Sequence, residues 1–306
     1  MGNKRNPGLR GGGWAPYLFI VPAVALIVLL GVIPILISFV ISLQSYRLGV
    51  PLDQIHYVGL DNYRDILSNR LFTDSIGWTF LFTAITVIFN LVLGLGLAML
   101  LNAKAMEKRL KVFRSLFILP LMLAPVVTAT IWEILFAPVY GIVNYVVELL
   151  GFASVSWTGE SVPAKAAISA VDIWGATPFC MLIFLAAFQT VPGDVYEAAM
   201  IDGASRTRSF FRITLPLIRN FIALVVTIRV MDALRVFDSV MVLTNGGPGT
   251  ATETMGTAIY KTAFRYGNIG AGSAGAFIFF ALILVVTLVF MTLLRKQTGT
   301  EGREAA

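Results

Sequence analysis

Long apolar stretches without charge dominate the pattern along the chain. No Asp, Glu, Lys or Arg occurs from Gly11 to Tyr46, from Ser75 to Ala103, or from Tyr266 to Leu294. Each run exceeds the roughly 20 residues a helix needs to cross about 30 Å of hydrocarbon. Helices suit such a setting, because they satisfy their own backbone hydrogen bonds where water is missing. The pattern predicts six spans at about Ala15–Leu43, Ile76–Leu101, Ser115–Phe136, Ala166–Gln189, Leu217–Leu243 and Ala271–Leu294. The expected fold class is all-α, a polytopic membrane protein with residues 1–14 and 295–306 as tails around a six-span domain.

Composition strengthens this reading and removes others. The chain has 306 residues, 57% of them hydrophobic and only 13% charged, against roughly a quarter charged in soluble domains. Its single cysteine (Cys180) and single histidine (His56) exclude a disulfide framework and any metal cluster built from His and Cys within the chain. The net charge of +6 is placed by membrane orientation, so no nucleic-acid partner is expected. The first apolar run is too long for a cleaved leader and is expected to remain as an anchor.

Lys and Arg set the expected orientation. One side collects Lys4, Arg5 and Arg10, then Lys104, Lys108, Arg109, Lys111 and Arg114, then Arg206, Arg208, Arg212 and Arg219, and finally Arg295, Lys296 and Arg303. The alternate side holds only Arg47, Arg64, Arg70, Lys165, Lys261 and Arg265. Both termini and the second and fourth loops are therefore expected in the cytoplasm. No outward loop is long enough for a folded domain.

The fourth loop, residues 191–216, has its own character. Asp194 with Glu197 three residues on has the spacing of a capping box. A short helix through Val195, Ala198, Ala199 and Ile201 would follow, ended by Gly203 in the left-handed conformation. A second short helix would run to Ile213, with Pro216 in the first turn of the fifth span. On pattern alone this is either a partner-docking helix-turn-helix or a loop joining two spans.

The wording of the loop narrows the choice. Glu197-Ala198-Ala199, Asp202-Gly203-Ala204, Phe210 and Leu215-Pro216 resemble the EAA loop of ABC importer permeases. Phe237-Asp238, the turn Leu243-Thr244-Asn245-Gly246-Gly247-Pro248-Gly249, and Thr252-Glu253-Thr254 resemble the end of the fifth span in the maltose-type carbohydrate uptake group. The resemblance implies a non-catalytic permease subunit of a bacterial inner-membrane importer for a sugar, oligosaccharide or polyol. It also implies three protein partners: a second homologous permease, a dimer of ATPase subunits that uses ATP and Mg, and an extracytoplasmic solute-binding protein. Glu197, Ala198, Ala199, Asp202 and Gly203 would form the joint to the ATPase. The chain has no G-x-x-x-x-G-K-[ST] loop, so no cofactor is expected on it.

Polar residues inside spans are costly and are candidates for function. Asp172 lies on the fourth span near Trp174, Thr177 and Phe179. Arg229, Asp232, Arg235 and Asp238 recur every third residue on the fifth, a spacing that lets helix neighbours pair. Arg229 stands twelve residues past Leu217, about 18 Å along a helix and near mid-membrane. The family resemblance places sugar contacts at Asp172, Phe179, Arg229, Asp232 and Ala233, with Trp174 or Phe179 available to stack on a ring. Two readings remain: substrate contact, or an ion-paired ladder that fixes packing. Glycerol phosphate or another small polar solute, or an ion-coupled secondary transporter, are the alternatives to ATP-driven sugar import. Gly94, Gly96, Gly267, Gly270, Gly272 and Gly275 are expected to permit close helix contact.

Overall fold

The computed structural model describes residues 15–102 and 115–299, with side chains described from 18 to 292. The basic residues Lys4, Arg5, Arg10, Lys104, Lys108, Arg109, Lys111, Arg114 and Arg303 lie outside the described residues. For Arg295 and Lys296 only the backbone is described. No strand occurs among the described residues; Gln44 and Tyr57 form a lone bridge. The fold is all-α.

The helices are α1 (Ala15–Ile27), α2 (Ile33–Ser42), α3 (Asp61–Ser68), α4 (Arg70–Leu101), α5 (Pro125–Leu135), α6 (Ile142–Leu149) and α7 (Ser161–Gln189). They continue as α8 (Gly193–Ile201), α9 (Arg206–Ser209), α10 (Arg219–Leu234), α11 (Asp238–Leu243), α12 (Met255–Tyr260) and α13 (Ile269–Gly299). Four stretches are long and apolar enough to span unbroken: Leu18–Ser42, Arg70–Leu101, Ser161–Gln189 and Ile269–Thr292. Two more candidates are bent, so six spans result when each bent pair counts as one.

The bends correct the expected third and fifth spans. Ser115–Met122 meets Pro125–Leu135 at 105°. A proline disfavours helical backbone in the residue before it, and Ala124, before Pro125, is extended with ψ 142°. Arg206–Leu217 meets Arg219–Leu234 at 68°. A wide turn over Phe210–Thr214 precedes Pro216, and the break falls at Ile218. Pro216 therefore sits before the bend, not in the first turn of the straight helix. The ring of Pro216 excludes the normal bond to Arg212, which the wider turn accommodates. The fifth stretch also ends early. Arg235 caps α10, Phe237 leaves helical geometry with φ −139°, and α11 starts afresh at Asp238.

The main seam runs between α4 and α7, with α10 lying across both. Gly94 makes that seam possible. A Cβ on Gly94 would stand 2.5 Å from the Cβ of Cys180, so the backbones meet at a distance only glycine permits. Gly96 has open space around it, whereas Gly272 abuts Ala263 at 2.5 Å and Gly270 abuts the carbonyl of Gln44. The glycines of α13 thus serve packing within the chain. The first span is different: none of its most apolar window is buried, and its contacts to α13 come from α2.

Candidate functional site: a docking helix and an intramembrane charge pair

α8 closes the end of α7 in a tight corner. Pro192, with ψ 140°, precedes the helix, and no side chain caps it. The expected capping box is therefore absent. The helix starts one residue earlier than Asp194, whose carboxylate instead sits in the first turn, where the helix dipole favours it. The C-terminus behaves as expected. Gly203 has φ +71°, its N–H donates to Met200 O at 3.1 Å, and Ala204 N–H donates to Ala199 O at 2.9 Å. These paired bonds are the Schellman arrangement, which needs a residue without a Cβ penalty. Ala199 is buried, while Glu197, Ala198, Asp202 and Gly203 are exposed. Met200 is 67% exposed and Ile201 87%, so an apolar tip stands clear of the protein beside the Glu197 carboxylate. Tyr196 Oη lies 2.8 Å from Thr214 Oγ1, tying α8 to the bent helix that leads into α10. Ser205 opens that helix by accepting from Arg208 N–H.

The charges inside the spans pair differently from the expected ladder. Arg229 does not meet Asp232 along its own helix. Its Nη2 donates to Asp172 Oδ2 across to α7 at 2.6 Å, with the two side chains 6% and 16% exposed. Asp232 pairs with Arg235 at 2.9 Å near the helix end, both about half exposed. Asp238 belongs to the first turn of α11. One rung of the ladder, Asp232–Arg235, forms; Arg229 is drawn instead to Asp172 on α7, and Asp238 falls on a new helix because α10 ends at Leu234.

Asn90 on α4 completes the buried network, and the sequence reading passed over it. Its Nδ2 donates to Asp172 Oδ2 at 3.4 Å, and Thr177 Oγ1 lies 2.9 Å from Asn90 Oδ1. Three spans are thereby joined through one carboxylate. A neutral amide in an uncharged run carries no signal until a partner in space is known.

A cavity of about 350 Å³ opens beside the pair. Asp172, Phe179, Arg229 and Asp232 line it, as expected of them, together with Gly175, Thr128 and Ser239. Other candidates lie elsewhere. Trp174 packs edge-on against Trp132 at 5.7 Å, Thr177 faces Asn90, and Ala233 is fully buried in the apolar core. Arg235 meets the cavity only through its bond to Asp232. The wall can stack an aromatic face on an apolar ring face and offer carboxylate and hydroxyl oxygens to donors.

A second buried pair supports the turn at Asn245. Lys261 Nζ donates to Glu253 Oε2 at 2.5 Å, with side chains 9% and 1% exposed, and to Asn245 O at 2.7 Å. Asn245 has φ 49° and Gly246 φ 81°, so the expected tight turn is present. A Cβ on Gly246 would strike the Glu253 carboxylate. His56 and Cys180 carry no site: His56 bonds to Ser45 in a surface loop, and Cys180 is buried.

Known proteins resemble this chain in sequence and fold. Residues 90–298 match the family described as binding-protein-dependent transport system inner membrane component. The chain is 38% identical over 278 residues to the trehalose/maltose transport system permease protein MalF of Thermococcus litoralis, covering 90% of this chain and 92% of that one. It is 37% identical over 286 residues to the sulfoquinovosyl glycerol transport system permease protein SmoG of Agrobacterium fabrum, covering 92% and 90%. A solved bacterial ABC transporter involved in import of the acidic polysaccharide alginate contains a chain of the same fold. That chain superposes with a TM-score of 0.82 at 22% identity, over 92% of this chain and 96% of its own. With the family model matching residues 90–298 and relatives matched over nine-tenths of its length, the chain belongs to the family of binding-protein-dependent transport system inner membrane components.

Proposed function

We propose that this chain forms half of the translocation path of an ATP-driven importer, and that its solute is an uncharged sugar or polyol. The observation that carries the solute class is the pairing at the cavity. The guanidinium among the described residues of the wall is already held by Asp172, and the Asp232 carboxylate there is paired with Arg235. Such a wall accepts hydrogen bonds from hydroxyls and offers phosphate, sulfonate or uronate groups no cation that is not already paired. The relatives' names support a sugar, and the pairing argues against glycerol phosphate. Asp172, Arg229, Asp232 and Phe179 act on the path, with Asn90 and Thr177 holding Asp172 in place.

Energy reaches the path from outside the chain. α8, with Glu197, Ala198, Ala199, Asp202 and Gly203, seats on an ATPase subunit that binds ATP and Mg. A second permease subunit supplies the other half of the path, and an extracytoplasmic binding protein delivers the solute. The unburied first span is a ready surface for that second subunit. α8 and both termini face the cytoplasm, in line with the distribution of Lys and Arg.

The test is uptake by the assembled complex in proteoliposomes, with the cognate binding protein and the solute it retains on purification. Import that requires ATP inside and is insensitive to ionophores supports the reading. Import driven by an ion gradient without ATP would assign the buried charges to ion coupling. A retained solute bearing phosphate, sulfonate or carboxylate would overturn the uncharged class while leaving the importer reading intact.

A further inference from the structure

The hairpin between α5 and α7 carries a surface that transport through the cavity leaves unused. Asn144 fixes the rotation of α6 about its axis. It is 2% exposed. Its amide nitrogen donates to Pro138 O at 3.3 Å and Val155 O at 3.0 Å. Its amide oxygen accepts from Val155 N–H at 3.1 Å and Trp157 Nε1–H at 2.9 Å. Two donors and two acceptor positions are all used, which fills the hydrogen-bonding capacity of the group. Val143, one residue before, packs on the core cluster.

With that side turned inward, Ile142, Tyr145, Val146 and Leu149 form the outward stripe at positions i, i+3, i+4 and i+7. They are 58%, 66%, 46% and 74% exposed. Val139, Tyr140, Leu150 and Phe152 extend the patch at both ends, each at least 68% exposed. A helix facing water carries polar residues on such a stripe. This one carries none; Glu148, the single charge of α6, lies on the flank. A patch of this kind marks an interaction surface.

We infer that α6 is an interfacial helix. Its outward stripe lies in the boundary between headgroups and acyl chains, in the leaflet opposite α8. The bilayer is the occupant because of where the helix is tied. α5 before it and α7 after it belong to spans, and the connections 136–141 and 150–160 are short, so α6 stays at the depth where those spans surface. α5 itself ends with exposed Ile131 and Ile134, and the apolar surface passes along the chain into that of α6. Tyr140 and Tyr145 have the amphipathic rings that gather at membrane interfaces, and an apolar face set a few ångströms into the interface is the usual anchoring mode of such helices.

The experiment uses the assembled transporter in phosphatidylcholine/phosphatidylglycerol nanodiscs. A nitroxide is attached at Leu149→Cys, at Tyr145→Cys and, for the flank, at Glu148→Cys. The native Cys180 is buried and does not compete for label. Power saturation is read with oxygen, which partitions into lipid, and with a nickel chelate, which stays in water. Oxygen favoured by several-fold at 145 and 149, with the chelate gaining at 148, is the expected result. Chelate access at 149 equal to that at 148 would mean a water-facing stripe and end the proposal. Immobilised labels closed to both reagents would assign the stripe to another protein subunit, and would end it equally. If Leu149→Cys fails to assemble, Tyr145→Cys reads the same face.

Discussion

At the scale of single residues, the Asp172–Arg229 pair shows why a buried charge is judged by its partner. Removing one member leaves the other uncompensated in a low-dielectric site, at a cost of about 3–5 kcal/mol. Arg229→Met is therefore expected to lower the thermal stability of the purified complex sharply. Asp172→Asn combined with Arg229→Gln should recover most of the loss, because neutral amides can still bond to Asn90. Stability unchanged in Arg229→Met would show that water reaches the pair. Gly94 gives a second residue test. Gly94→Ala forces a Cβ to within 2.5 Å of Cys180, and overpacking of this kind costs about 1–3 kcal/mol. Gly96→Ala, two positions along and with nothing within 4 Å, should be silent. Equal melting temperatures for the two variants would remove Gly94 from the seam.

At the scale of elements, α8 is held in shape by its ends and by Tyr196. Gly203→Ala keeps open space around the new Cβ but places it at φ +71°, at a cost of about 1 kcal/mol. Gly193→Ala, also unobstructed and with no positive φ, provides the control. Copurification of the ATPase subunit is expected to fall several-fold for Gly203→Ala and for Glu197→Lys, and to hold for Gly193→Ala. Loss in all three, or in none, would separate α8 from the docking role. Much of α8 is legible in the sequence: its presence, its small-residue face and its glycine stop are local features. The spans followed from apolar length for the same reason. Asp194 and Glu197 have cap spacing, but Pro192 sets the extended entry two residues before Asp194, so the helix begins at Gly193. Of the charge ladder only the Asp232–Arg235 rung forms: Arg229 has a partner on another helix, and a period of three cannot carry to Asp238 because α10 ends at Leu234. The links Arg229–Asp172, Asn90–Asp172 and Lys261–Glu253 join residues by tertiary packing, which no local spacing encodes.

At the scale of the whole molecule, the packing is uneven. Its tightest packing joins α4, α7 and α10, while the apolar window of Leu18–Ser42 has no buried residue. A span that meets the rest of the chain only where α2 touches α13 has little of the close packing that holds membrane helices in place. That openness has a consequence for the cell. A copy without the companion subunit proposed above would offer membrane proteases a loosely held first span, so its lifetime should track the supply of that companion. In a pulse-chase, the chain made alone is expected to decay several-fold faster than the chain made with the proposed partner subunits. Equal half-lives would mean that Leu18–Ser42 is secure in lipid by itself. Matched synthesis of the subunits would then be a matter of economy, with no bearing on survival.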